Sequence, residues 1–221
     1  MKGKVVQIPY FTETDHPQVK SLSHYSDQEL LTLFQRYPEE GKYFTAIFCR
    51  YSPIVYTLIA HSGRSPVQVD YLFALTWRHI YYAMMELDLR GSSAPGMENF
   101  NLQNWLINIT ALCINQADVP PVESIHYSLE AASPPLWCYT HQALDFLPPL
   151  QRLIVLMSQT FHWSEARISA YLQTEGETVS PHQVRSLLIS GLQELQKSLP
   201  ADIREIYLGE DSTVEMQESL L

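Results

Sequence analysis

The sequence lacks a long apolar run, the pattern of a secretory signal and clustered cysteines. No apolar run among its 221 residues reaches the roughly 18–20 residues needed to span a bilayer. The two lysines near the N-terminus are not followed by the apolar core of a secretory signal, so a cytoplasmic protein is expected. Cys49, Cys113 and Cys138 are unclustered, which favours reduced thiols over disulfides or a zinc site.

Motifs of catalysis and cofactor binding are also absent. The eight histidines show none of the spacings that are typical of zinc ligands. There is no glycine-rich phosphate loop and no G-x-S-x-G nucleophile elbow. We therefore expect no catalytic residues, no metal and no cofactor, and a protein that is not an enzyme.

Basic residues are scarce. The chain has 14 lysines and arginines against 24 acidic residues, a net charge of −10, and no lysine or arginine occurs between Arg90 and Arg152. Proteins that hold nucleic acid unaided usually carry a basic face, because neutralising phosphates supplies most of the affinity. The composition therefore does not predict a protein that holds DNA alone.

What is present is a clear helical pattern, strongest in residues 147–199. Leu147-Pro148-Pro149 predicts a helix start, because proline fits the first turn, where its missing N–H is not needed. Ser164 and Ser180 predict the N-caps of two further helices, separated by a polar turn at 173–178 that holds Gly176. The apolar faces expected to be buried are Leu150, Leu153, Ile154 and Met157, then Ile168, Tyr171 and Leu172, then Val184, Leu187, Leu188, Leu192 and Leu195. The last two of these helices are predicted to form a helix-turn-helix.

The rest of the chain divides by composition. Ser26 with Glu29 predicts a capping box at the start of an N-terminal helical region. Two Pro-Pro pairs bracket a segment that favours extended chain. The predicted division is a mobile leader at 1–25, a helical domain at 26–117, a linker at 118–135, a second helical domain at 136–200 and an acidic, solvated tail at 201–221.

The C-terminal helices resemble the fourth domain of bacterial RNA polymerase sigma factors of the extracytoplasmic-function type. The family phrase LPP-x-QR is intact as LPPLQR at 147–152, and Trp163-Ser164 stands where the family has Leu-Ser. The run at 180–188 follows the family's third-helix pattern. Leu187 and Ser190 stand where the family has basic residues, and the turn is several residues longer.

The N-terminal region resembles the second domain of the same family. The phrases SDQEL at 26–30 and FTAIFCRYSP at 44–53 match it, and FNLQNWLINIT at 100–110 holds its paired Trp105-Leu106. Trp105 is expected to lie in the core; the alternative is that it is exposed and stacks on a base. The family helix that matches residues 67–81 docks on the polymerase β′ clamp. The resemblance thus implies polymerase contacts by Asp70, Thr76, Trp77 and Arg78; the alternative is a plain core helix.

Together the resemblances imply an all-α protein of two helical domains joined by a flexible linker. They imply a sigma factor that binds core RNA polymerase at the β′ clamp and β flap and directs it to promoter DNA, with an anti-sigma factor as a further candidate partner. The residues implied in DNA contact are Ser180, His182, Gln183, Arg185, Arg167 and Arg152. The simple alternative for His182 and Gln183 is that they are only solvated.

The depleted basic residues leave a second hypothesis open. The chain would keep the sigma-like fold as a protein-interaction regulator that no longer initiates transcription. A shared face for Arg152, Arg167, Arg185 and Lys197 would favour DNA binding, and scattered positions would favour the regulator.

Overall fold

The computed structural model describes residues 7–87 and 100–209, and every regular element in these ranges is a helix. This confirms the all-helical prediction. The α-helices in these ranges are α1 (Pro17–Lys20), α2 (Asp27–Arg36), α3 (Gly41–Ala60), α4 (Pro66–Glu86), α5 (Leu102–Gln116), α6 (Pro134–Phe146), α7 (Pro149–Gln159), α8 (Glu165–Thr174), α9 (Pro181–Ser198) and α10 (Ala201–Leu208). None of them is long and apolar enough to cross a membrane.

Contacts between residues divide the chain into two compact units. The N-terminal unit comprises Met1–Cys138 and Ala201–Leu221, and the C-terminal unit comprises Tyr139–Pro200. The division falls inside α6, not at its start. The chain therefore leaves the N-terminal unit once and returns to it with α10.

Local capping explains where several helices begin. Ser26 and Glu29 form the predicted capping box, with the Ser26 N–H donating to the Glu29 carboxylate at 2.8 Å. Ser164 caps α8 by accepting from the Arg167 N–H at 3.3 Å, and Ser180 caps α9. Each cap satisfies N–H groups that a helix leaves unpaired in its first turn, so these starts can be read from sequence.

The core of the N-terminal unit is aromatic and lies between α2, α3 and α4. Trp77 of α4 has its ring centroid 5.0 Å from Phe48 and 6.0 Å from Phe44, both edge-on. Phe44 also meets Tyr81 at 4.8 Å. Edge-to-face pairs of this kind add stabilisation beyond the apolar area that they bury.

The predicted mobile leader is wrong for the residues that the structure describes. Phe11 is buried, with its ring 4.8 Å from Phe48 and 5.8 Å from Phe73, and Val19 and Leu22 are buried as well. A 3-10 helix at Thr12–Asp15 and α1 follow Phe11. Buried apolar side chains therefore hold this otherwise polar segment in the fold. Residues 1–6 lie outside the described residues.

The predicted tail also needs correction, because it begins with a packed helix. Ile203 of α10 is fully buried, and the Asp202 carboxylate accepts from the Lys42 N–H at 2.8 Å. Tyr207 donates from its hydroxyl to the Glu13 carboxylate at 3.1 Å. α10 therefore supplies a cap for the first turn of α3 from the far end of the chain. The acidic part from 210 to 221 lies outside the described residues.

The C-terminal unit packs α7, α8 and α9 around one apolar cluster. Its buried members are Leu147, Ile154, Val155, Met157, Ile168, Leu172, Val179, Val184 and Leu188. Gly191 lets α9 approach α7 closely, since a Cβ there would lie 2.9 Å from side-chain atoms of Gln151 and Val155. Two apolar residues predicted as buried, Leu153 and Tyr171, are instead 38% exposed. The buried face of α7 is rotated to include Val155.

The turn between α8 and α9 is fixed by backbone hydrogen bonds. Gly176 has φ of +90°, a left-handed conformation that favours glycine. The Gly176 N–H donates to the Gln173 carbonyl at 3.2 Å, and the Glu177 N–H donates to the Leu172 carbonyl at 2.9 Å. This pair of bonds is the Schellman motif, which closes a helix and turns the chain sharply. The longer turn thus ends α8 cleanly before α9 begins.

Candidate functional site

The start of α9 presents the residues that the sequence placed in DNA contact. Ser180, His182, Gln183 and Arg185 are all exposed, while Val184 is fully buried. α9 thus points its first turn outward and anchors itself by the opposite face. This geometry is what a recognition helix requires, because side chains near its N-terminus must reach base edges.

Gln183 takes part in capping α9, a role that the sequence analysis did not predict. Its Oε1 accepts from the Ser180 N–H and from the Ser180 hydroxyl, both at 2.8 Å. A bidentate contact with adenine needs that oxygen as the acceptor. While the capping box holds, Gln183 can offer only its Nε2 donor, so His182 and Arg185 are the better candidates for reading bases.

The four basic side chains of the C-terminal unit each have a partner. Arg185 lies 3.8 Å from the Glu165 carboxylate, and Arg167 stacks over the Trp163 ring at 4.1 Å. The other two pairs, which join Arg152 to Asp145 at 2.9 Å and Lys197 to Glu194 at 3.8 Å, are also on the surface. Arg167 and Arg185 therefore both lie by the first turns of α8, while Arg152 and Lys197 face other carboxylates.

Charge in the C-terminal unit is close to balanced. Four basic residues face five carboxylates, a net charge of −1. The exposed ion pairs are worth little to stability, but they lower the positive potential that phosphates would meet. Any DNA contact by this unit is therefore expected to be weak in isolation, with a shallow dependence on salt.

Exposed apolar side chains gather on the C-terminal unit, and sequence periodicity did not reveal them. Phe161 is 55% exposed, and its ring lies 6.0 Å from Trp163, which in turn meets Tyr171 at 5.8 Å. Leu153 and Leu156 are also partly exposed on α7, three residues apart. We call Phe161, Trp163 and Tyr171 the aromatic cluster. Groups of exposed apolar residues of this kind mark interaction sites more often than scattered ones do.

On α4 the structure separates the four residues assigned to polymerase contact. Thr76 and Trp77 are 0% exposed, and Trp77 lies in the aromatic core. Neither can touch a partner directly, so the assignment is wrong for these two. Their burial agrees with the alternative interpretation, in which this part of α4 is a plain core helix.

The other two α4 residues lie nearer the surface but are already engaged. The Tyr56 hydroxyl donates to the Asp70 carboxylate at 2.9 Å, and Arg78 lies over the Trp137 ring at 5.0 Å. Burial raises the pKa of Asp70 above its ordinary value, and the Tyr56 hydrogen bond opposes this rise. Asp70 therefore acts within the fold.

The raised pKa of Asp70 predicts a pH-dependent stability difference. A folded-state pKa above the unfolded value means that ionised Asp70 costs stability at neutral pH; this cost begins to fall as pH drops to the folded-state pKa and is gone below the unfolded-state pKa. Asp70→Asn, which keeps an acceptor for Tyr56, should raise the melting temperature at pH 7, with the gain shrinking in acid. Asp27→Asn is the control: Asp27 pairs with Arg50 at 2.6 Å, so its loss should destabilise. A melting temperature for Asp70→Asn that is lower at pH 7 would contradict this assignment.

α5 has no charged side chain along its whole length. Leu102, Leu106 and Thr110 are buried, and the exposed positions are mostly amides: Gln103, Asn104, Asn108, Asn115 and Gln116. Trp105 is only partly buried, so Leu102 and Leu106 form the anchor that was expected of Trp105. α5 thus offers amides and one indole but no cation that could contact phosphates.

Neither a metal site nor a match to known proteins adds to this picture. Within residues 7–87 and 100–209, no three His, Cys, Asp or Glu side chains gather in a way that could hold a metal ion. Comparisons with protein-family models, curated proteins and solved structures gave no match. The functional argument therefore depends on the geometry of the two units and on the sequence resemblance.

Proposed function

We propose that this chain is a sigma-type transcription initiation subunit that works in the cytoplasm while bound to core RNA polymerase. The observation that carries the proposal is the C-terminal unit. Its LPPLQR phrase leads into α7, and the outward-facing start of α9 follows a closed turn. A capped helix that exposes His182 and Arg185 above a buried apolar face is a suitable recognition helix.

An acidic protein can work at promoters if polymerase holds it there. Binding to core polymerase raises the effective concentration of α9 near DNA, so weak intrinsic contacts suffice. The exposed aromatic cluster gives the C-terminal unit an apolar surface for a protein partner. We assign this surface to the polymerase side, by the β flap, and the start of α9 to the DNA side.

A second candidate function is supported by a specific observation. α5 is uncharged, and each basic side chain of the C-terminal unit has a partner. A sigma-like regulator that binds polymerase or another protein without opening DNA would need no more than this. The two candidates share polymerase binding and differ in promoter selection.

Promoter selection by α9 gives a direct test. In holoenzyme assembled with core polymerase, His182→Ala/Arg185→Ala should weaken promoter binding by about 5- to 150-fold, the range of about 1–3 kcal/mol. Lys197→Ala, near the other end of α9, is the matched control and should change binding little. Equal promoter strength and selection in all three proteins would favour the regulator.

Gln183→Glu separates capping from DNA contact. Glutamate preserves the capping box, so the melting temperature should stay near that of the unmodified protein. If the Nε2 donor faces DNA, the same change should weaken promoter binding at low salt, because it replaces a donor with a negative charge. Unchanged promoter binding would leave Gln183 with its capping role alone.

A further inference from the structure

The outer face of α4 is covered by the chain segment that follows α5. Gln68, Tyr71, Leu75 and Arg78 are spaced by three and four residues and therefore share one face of α4. We call residues 117–137 the strap. The Gln68 amide donates to the Pro120 carbonyl at 3.1 Å, Tyr71 faces the Tyr127 ring at 6.4 Å, and Arg78 lies over Trp137 at 5.0 Å. The strap thus runs along α4 from its first turn to its middle.

The strap has little regular structure. Between Ala117 and α6 it forms no helix longer than the 3-10 turn at Val122–Ser124, and its side chains are exposed or partly buried up to α6. Tyr127 is the central residue of the strap: its ring faces Tyr71 of α4 at 6.4 Å. Within the strap, the same ring packs 5.3 Å from Trp137, and the hydroxyl donates to the Ala132 carbonyl at 2.6 Å. A segment attached in this way can leave α4 without disturbing the aromatic core.

We propose that the strap is an autoinhibitory cover that occupies the polymerase-docking face of α4 in the free protein. The inference depends on the proposed function, because it takes α4 as a docking helix. Of the four predicted docking residues, Arg78 is the one that the strap contacts, because it lies over the Trp137 ring. The strap contacts Gln68 and Tyr71 on the same face of α4. Docking through the Gln68–Arg78 stripe requires the strap to move away.

Mass action gives the measurable consequence. If only the strap-open state binds polymerase, the apparent dissociation constant equals the intrinsic one divided by the open fraction. Weakening the strap then tightens polymerase binding, although it removes contacts from the protein. A strap with only a structural role predicts equal or weaker binding instead.

The test is titration of labelled full-length chain with core RNA polymerase, followed by fluorescence anisotropy. Tyr127→Ala should lower the apparent dissociation constant by about 10-fold if the strap is mostly closed in the free protein. Tyr127→Phe, which removes only the hydrogen bond to Ala132, should act in the same direction with a smaller effect. Val122→Ala is the matched control, because Val122 is exposed within the strap. Melting curves establish that each variant is folded.

The outcomes separate the two proposals. Binding by all proteins with the same or weaker affinity in both Tyr127 variants would overturn the strap proposal and leave the proposed function standing. Absence of binding by the unmodified protein and both Tyr127 variants would overturn both. Tighter binding in Tyr127→Phe alone, if Tyr127→Ala were unfolded, would still support the strap.

Discussion

Replacing Trp77 by alanine should lower the free energy of unfolding of the N-terminal unit by about 3–5 kcal/mol, the usual cost of deleting a fully buried aromatic. Trp77 is 0% exposed, and three aromatic rings, those of Phe44, Phe48 and Phe73, lie edge-on around it. Alanine would leave a cavity among rings that cannot all collapse into it. The measurement is urea unfolding followed by far-ultraviolet circular dichroism, which does not depend on the lost indole.

Trp105→Ala is the matched comparison, because it deletes the same side chain from a half-exposed position on α5. Its expected cost is about 1–2 kcal/mol, since part of the indole already meets water. Trp77→Phe should lower the free energy of unfolding by less than the lost side-chain volume suggests. The Trp77 Nε1 is buried and has no hydrogen-bond partner among the described residues, so its removal also removes an unsatisfied donor. Equal costs for Trp77→Ala and Trp105→Ala would contradict the assignment of Trp77 to the core.

Replacing Ile203 by alanine should cost the N-terminal unit about 2–5 kcal/mol, although this residue lies far along the chain from the rest of that unit. Ile203 is fully buried, and its helix also places Asp202 on the first turn of α3 and Tyr207 on Glu13. Loss of the buried side chain should loosen α10 and both polar contacts with it. Asp202→Ala alone should cost about 0.5–2 kcal/mol, the range for losing a helix cap.

Arg204→Ala is the control for Ile203→Ala, because it alters the same helix at a partly exposed position. It should leave the unfolding curve nearly unchanged. Limited proteolysis gives a second measurement: Ile203→Ala should expose the chain around 199–201 to cleavage sooner than Arg204→Ala does. If both variants unfold like the unmodified protein, α10 is not part of the N-terminal unit.

Helix starts and faces could be predicted because their causes are local. Ser26, Ser164 and Ser180 each carry the side chain that caps the following helix, and proline at the first turn of α7 and α9 marks the same boundaries. Gly176 marked the turn because it takes a left-handed conformation there. Rules of this kind need only the few residues around each position.

Long-range packing could not be predicted, because polar composition hides single buried residues. Phe11 and Ile203 lie in segments that look solvated, yet each fills a place in the core of the N-terminal unit. Their partners lie tens or hundreds of residues away, so no local pattern points to them. The same limit applies to Tyr127, whose contacts with Tyr71 and Trp137 turn a proline-flanked segment into a cover for α4.

The candidate site was predicted in part for the same reason. The start of α9 is exposed as expected, because its buried face follows a clear periodicity. Thr76 and Trp77 were misassigned, because a family motif gives residue identity but not which way a side chain points in a helix as apolar as α4. The contact of Gln183 with Ser180 follows from the three-residue spacing that is typical of a capping box. The sequence resemblance, by contrast, implies only a DNA contact for Gln183.

Reconstitution with core RNA polymerase tests the central claim most directly. Purified full-length chain would be mixed with core polymerase, separated by size-exclusion chromatography, and the complex used to transcribe a pool of genomic fragments whose RNA ends are then sequenced. The proposed function predicts co-elution with core polymerase and a limited set of start sites that core polymerase alone does not use. A chain that elutes apart from core polymerase and adds no start site would contradict it.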